Sequence, residues 1–341
     1  MLDPALVQLG WKSFFFEQVS TAESQHLRPV RVMSGHRGRV TVAGDNFEDS
    51  ISSSFPAQGT AEGRPTVGDW LLIDRSTSEL VRVLERTSLF KRPFPGDDRR
   101  VQLIAANIDT LFIVTSCDQD FNVARVERYL VLAREVGVRP VLVLTKADLA
   151  STPEPFVQAA RALQSNLRVE LVDGRDIGSA AHLTAYCGTG ETVALVGSSG
   201  VGKSTLVNTL TGTDTIATQA VRAEDGKGRH TTTVRQMHRL SGGVNGGGWL
   251  VDTPGMRELQ MSEVASGVAE VFDDVTAVTL DCRFANCTHA DEPDCAIRAA
   301  LAEGHIDPNR VERWRKLAQE DAENSVLAAR RSRPSKARRR K

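Results

Sequence analysis

Gly197-Ser198-Ser199-Gly200-Val201-Gly202-Lys203-Ser204 fits G-x-x-x-x-G-K-[ST] at every fixed position, with Thr205 next in the chain. In such a loop the glycines let backbone amides close around phosphate oxygens, and the N-terminus of the following helix adds a favourable dipole. Lys203 would reach the β- and γ-phosphates, and the Ser204 hydroxyl would hold Mg²⁺. Asp252-Thr253-Pro254-Gly255 follows the apolar run Trp249-Leu250-Val251. A carboxylate at the end of a buried strand beside the loop is placed to orient Mg²⁺, and Gly255 would let the backbone approach the γ-phosphate. Between these motifs lies Gly228-Arg229-His230-Thr231-Thr232-Thr233. A hydroxyl from Thr231, Thr232 or Thr233 can complete the Mg²⁺ shell only while the γ-phosphate is present, so the segment is a candidate switch.

Thr145-Lys146-Ala147-Asp148 ends another apolar run, Val141–Leu144. Asp148 can accept from N1–H and the exocyclic amine of guanine, a donor pair that adenine lacks. Lys146 would pack its stem over the base. GTPases usually start this motif with Asn, and Thr145 in its place is expected to weaken one contact. The order is unusual, because the base-reading motif precedes the phosphate motifs. A sheet can still close if its strands are visited from a different starting point.

A third group is Cys282-(x4)-Cys287-x-His289-(x5)-Cys295, three thiols and an imidazole within fourteen residues. Soft sulfur with one nitrogen suits tetrahedral Zn²⁺, and four protein ligands make a closed, structural site. Cys117 and Cys187 stand apart and are expected to be core thiols. Five cysteines, an odd number, argue against a disulfide framework.

The elements that position these groups follow from pattern. Short runs at Arg39–Ala43, Trp70–Ile73 and Leu80–Leu84, separated by turn residues, suggest a small β-barrel or sandwich. The first ~25 residues form an amphipathic lead-in, and Lys91–Arg100, with Pro93, Pro95 and Gly96, is expected to be a linker. Beyond it, apolar runs Thr110–Val114, Val141–Leu144, Val169–Val172 and Thr192–Val196 alternate with helical patterns, the signature of a parallel sheet covered by helices. Asp307-Pro308 opens a long helix as N-cap and first position. No apolar run approaches the roughly 18–20 residues that span a bilayer, so no membrane role and a cytoplasmic location are expected. From Arg330 to Lys341 all eight ionisable side chains are basic, which leaves −9 on the rest of a chain of net charge −1. Such a tail is either a solvated face or a phosphate-seeking arm.

The permuted order, the GRHTTT and DTPG segments and the cysteine–histidine run together resemble the ribosome small subunit-dependent GTPase A family. The likeness extends to Val67-Gly68-Asp69-Trp70 and Ile104-Ala105-Ala106-Asn107-Ile108-Asp109. It implies an N-terminal OB-fold at 29–92 after an extension at 1–28, a permuted GTPase domain at 101–262, a helical zinc domain at 263–329 and a basic tail at 330–341. It further implies a GTP phosphohydrolase that acts late in small-subunit maturation, binds the subunit and its rRNA near the decoding region, and turns over faster when bound. Other assembly factors are expected as further partners, and the chain as a monomer. The family lacks the usual glutamine after D-x-x-G, and here Met256 holds that position, so the resemblance assigns His230 to position the attacking water. The Ser-Ala element that supports guanine elsewhere is replaced by Val172-Asp173-Gly174. Two other readings remain open on residues alone: a nucleotide-gated RNA-binding module, and a general P-loop ATPase.

Overall fold

The computed structural model describes residues 3–36, 38–53, 63–94, 97–212, 235–240, 247–252 and 264–332. The chain divides into two compact units, Met1–Asn122 with Val136–Leu259, and Val123–Glu135 with Gln260–Lys341.

The first unit opens with helices α1 (Pro4–Gln8), α2 (Ser13–Phe16) and α3 (Thr21–His26). Asp3 caps α1, and a reciprocal Ser20–Glu23 capping box starts α3. The apolar side of this lead-in, Leu6, Trp11 and Phe15, is buried with Trp70, Leu72 and Leu84, and Trp11 meets Trp70 edge-on at 4.7 Å.

Strands β1 (Leu27–His36), β2 (Arg39–Gly44), β3 (Phe47–Ser52), β4 (Trp70–Asp74) and β5 (Leu80–Val83) pair in the order β3-β2-β1-β4-β5. Within the barrel β1 serves two neighbours, lying on β4 over Leu27–Arg31 and on β2 over Arg31–His36, as a small OB-type barrel requires. Period-two alternation divides β4 between two cores. Leu71 and Ile73 join Val30, Val32 and Val42 inside the barrel, while Trp70 and Leu72 face the N-terminal helices.

The expected linker is not one. β6 (Leu89–Phe94) and β7 (Asp97–Ala106) form an antiparallel pair, a two-stranded sheet of its own. Pro93 fits because, among the described residues, its strand has a partner on one side only, and the register shifts at Phe90/Lys91 and Pro93/Phe94 absorb the irregularity. The segments Val67–Trp70 and Ile104–Asp109 meet here for a structural reason. Gly68, at φ +90°, lies where a Cβ would fall 2.1 Å from the Ala106 carbonyl. Asn107 Nδ2 donates to Gly68 O at 3.0 Å, and Asp69 is buried in an ion pair with Arg86 at 2.7 Å.

The sheet follows with β8 (Thr110–Ser116), helix α4 (Val123–Glu135, which belongs to the second unit), β9 (Arg139–Thr145), α5 (Glu154–Arg161), β10 (Arg168–Leu171), α6 (Ile177–Ala180), β11 (Thr192–Val196), α7 (Lys203–Thr211), β12 (Arg235–Arg239) and β13 (Trp249–Asp252). β10-β9-β8-β11-β13 are parallel. Their apolar runs pack Phe112, Val114, Val141, Val143 and Val193 against Leu206, Val207 and Leu210 of α7. β12 is antiparallel to β13 and pairs in turn with β1 through Ser34↔Gln236 and Gly35↔Arg235, so sheet and barrel share one hydrogen-bonded ladder. Arg31, 1% exposed, adds a second tie, donating to Thr192 Oγ1 at 2.7 Å.

The second unit holds α4 with α8 (Ala265–Val271), α9 (Asp273–Thr279), α10 (Ala296–Ala302) and α11 (Pro308–Ser332). Gly267 lets α8 approach α4, since a Cβ there would lie 2.3 Å from Val131 O. Buried Glu127 accepts from Arg313 at 2.7 Å and Arg310 at 3.2 Å, and Arg310 also pairs with Asp274. Asp307 caps α11 through the Asn309 amide, as its sequence predicts. Among the described residues no helix is long and apolar enough to cross a membrane.

Candidate functional site: a cleft between two loops

β11 ends at Val196 and the chain turns through Gly197–Gly202 into α7. Gly197 sits at φ +142° with the Val114 carbonyl 2.1 Å from any Cβ, so only glycine lets the loop pass over β8. Gly202, at φ +91°, is the N-cap residue of α7. Lys203 Nζ donates to the carbonyls of Gly197 at 2.8 Å and of Ser198, folding the ammonium over the loop. Val201 is buried in the sheet core, and this fixes the loop's far side.

Thr145 to Asp148 leave the end of β9, two strands from β11 in the sheet. Thr145 is buried and its hydroxyl lies 2.6 Å from Val201 O. This bond ties the Thr145–Asp148 turn to the Gly197–Ser204 loop. Lys146, at φ +57°, extends to Asp118 at 2.9 Å. Burial alone would raise the Asp118 pKa, but hydrogen bonds from Lys146, Ser116 and the Asp120 amide hold it below the usual range. Asp148 pairs with Arg175 at 2.5 Å.

A cleft of about 220 Å³ joins the two loops, lined by Gly200, Gly202 and Thr205 on one side and Asp148, Asp173 and Arg175 on the other. Thr145 and Lys146 lie between them. Asp118 and Arg175 were missed from sequence. A carboxylate just past the C-terminal end of parallel strand β8 was a readable signal for Asp118, while nothing in the pattern around Arg175 pointed into the cleft. Asp252 ends β13, beside β11. His230, Thr231, Thr232, Thr233, Thr253, Gly255 and Met256 lie outside the described residues.

In the second unit Cys282, Cys287, His289 and Cys295 bring their ligand atoms within 4.8 Å of one another. His289 Nδ1 is 3.4 Å from Cys282 Sγ and 3.7 Å from Cys295 Sγ, and its ring leans on Trp314 of α11. Burial, with Arg315 nearby, lowers the His289 pKa and favours the neutral imidazole that a metal takes. Glu292 braces the connecting turn, accepting from the amides of Thr288 and Ala290. The donor set fits a metal ion. Cys117 and Cys187 are buried core thiols.

The Thr145–Asp148 turn comes before the Gly197–Ser204 loop in the chain, yet the sheet brings the two to one cleft. That is the arrangement of a circularly permuted P-loop GTPase. The fold resembles YjeQ from Thermotoga maritima (TM-score 0.60, 24% identity, 90% of this chain and 100% of that one). It also resembles YloQ, described as a circularly permuted GTPase (TM-score 0.59, 22% identity, 88% and 96%). By sequence, residues 83–262 match the RsgA GTPase family. A relative from Mesorhizobium japonicum, named small ribosomal subunit biogenesis GTPase RsgA, is 46% identical over 95% of this chain and 92% of its own length. One from Vibrio vulnificus, named small ribosomal subunit biogenesis GTPase RsgA 2, is 41% identical over 96% and 91%. The chain belongs to the RsgA GTPase family.

Proposed function

We propose that this GTPase works in biogenesis of the small ribosomal subunit, the role for which its relatives are named, and that it hydrolyses GTP faster when bound to that subunit. The observation that carries the reading is the single cleft shared by the phosphate loop and the Thr145–Asp148 turn. Guanine would lie against Asp148 with the Lys146 stem over its face. The phosphates would lie in the Gly197–Ser204 loop, where Lys203 exchanges its carbonyl partners for β- and γ-oxygens. Ser204 and Asp252 would hold the Mg²⁺ carried with the nucleotide, which would supply charge neutralisation. Thr231, Thr232 and Thr233 offer the hydroxyl that senses the γ-phosphate. His230 orients the attacking water, a task that Met256, with no polar group, cannot perform. Cys282, Cys287, His289 and Cys295 hold a structural Zn²⁺, supported by their sulfur-rich donor set. The basic residues from Arg330 onward supply phosphate contacts to rRNA.

GTP turnover measured alone, with purified small subunits and with large subunits tests the reading. Stimulation by small subunits alone is expected. Equal rates in all three mixtures would leave a GTPase whose partner is something else.

A further inference from the structure

Guanine presents three polar atoms along one edge, the donors N2–H and N1–H and the acceptor O6. Asp148 can satisfy the first two, and O6 needs a donor. The backbone beside Asp148 has one amide left to give, that of Gly174. Of the four amides from Asp173 to Asp176, three already donate within the loop: Asp173 to Ser179 Oγ at 2.9 Å, Arg175 to Asp173 Oδ1 at 2.9 Å and Asp176 to Asp173 O at 3.2 Å. The loop is also pinned from α7, whose Thr209 hydroxyl donates to Gly174 O at 2.6 Å. Asp173, Gly174 and Arg175 all line the cleft, and the side-chain donor among them is the Arg175 guanidinium, 2.5 Å from Asp148 Oδ2.

We propose that Arg175 completes guanine recognition by donating to O6, so that Asp148 and Arg175 together form an acceptor–acceptor–donor edge complementary to the base. This rests on the reading that guanine faces Asp148. The guanidinium carries five donors, so it can keep Asp148 while turning another N–H to O6. Adenine would set its 6-amino group against the guanidinium, donor against donor, and Arg175 thereby adds rejection of ATP to the selection made by Asp148.

The test is displacement of a fluorescent GDP analogue by GDP, by 6-thio-GDP, whose sulfur is a poorer acceptor, and by XDP. With the unsubstituted protein GDP should bind tighter than 6-thio-GDP. Arg175→Ala should weaken GDP about tenfold, the size expected for one charge-assisted hydrogen bond, and should erase the preference over 6-thio-GDP. Arg175→Lys, which keeps a charged donor, should fall between. The side chain is 67% exposed, so its removal leaves the core intact. If Arg175→Ala binds GDP as tightly or more tightly, or keeps the preference over the thio analogue, the role in O6 recognition is wrong and the arginine merely occupies Asp148. Asp148→Asn separates the two readings. It should switch preference from GDP to XDP if the base faces that residue, and failure to switch overturns the cleft assignment itself.

Discussion

Residues in the cleft act mainly by holding one another in place. Thr145→Val keeps the shape of the side chain but strips the hydroxyl from the Val201 carbonyl. Loss of a buried hydrogen bond of this kind costs about 1 kcal/mol or more, so thermal unfolding should shift down and GDP affinity should fall several-fold. Asp118 holds Lys146, and its pKa is depressed in the folded protein. The pair is therefore intact above the ordinary carboxylate range and lost only as pH falls through the lowered value. Affinity for GDP in the unsubstituted protein should exceed that of Asp118→Asn by a constant factor from pH 8 to about 5, and the gap should close below about 4. A gap that already narrows near pH 6 would remove Asp118 from this role. His230→Ala should cut GTP turnover while leaving GTP binding nearly unchanged, and equal turnover would exclude His230 from water positioning. That the Gly197–Ser204 loop and Asp148 would share a cleft, and that Cys282, Cys287, His289 and Cys295 would cluster, could be read from residue type and spacing. Arg175 could not, because its part depends on which loop amides are already spent.

Secondary-structure elements were legible where pattern and burial agree. The parallel strands announce themselves as unbroken apolar runs, since both faces are covered. β12 does not: Arg235-Gln236-Met237-His238-Arg239 buries only Met237 and carries no strand pattern. β6 and β7 hid behind Pro93, Pro95 and Gly96, which mark linkers far more often than hairpins. In the helical unit, the Glu127 carboxylate is wholly buried between Arg310 and Arg313. Removing one partner of such a network strands charge, so Glu127→Ala should destabilise by roughly 3–5 kcal/mol in denaturant unfolding. The cysteine–histidine cluster should bring stoichiometric zinc, seen by atomic emission. A strong chelator should lower the stability of the α8–α11 unit while the barrel–sheet unit keeps its own unfolding transition.

For the molecule as a whole, permutation changes what is joined to what without changing what meets in space. Sequence could order the motifs and name the barrel, but the seam between barrel and sheet depends on a strand pairing that no local pattern encodes. Among the described residues the strand pairing at that seam consists of two residue pairs, Ser34↔Gln236 and Gly35↔Arg235, with the Arg31–Thr192 bond beside it. Thr233 stands two residues before Arg235, and β12 leads on to β13 and Asp252. So short a junction needs few broken hydrogen bonds to part, and segments of this kind open locally long before a domain unfolds. The barrel edge is therefore expected to breathe, close in sequence to the threonines proposed to sense the γ-phosphate. Its amides should exchange with solvent faster than those of β8 and β9, and at a rate that differs between GDP and a non-hydrolysable GTP analogue.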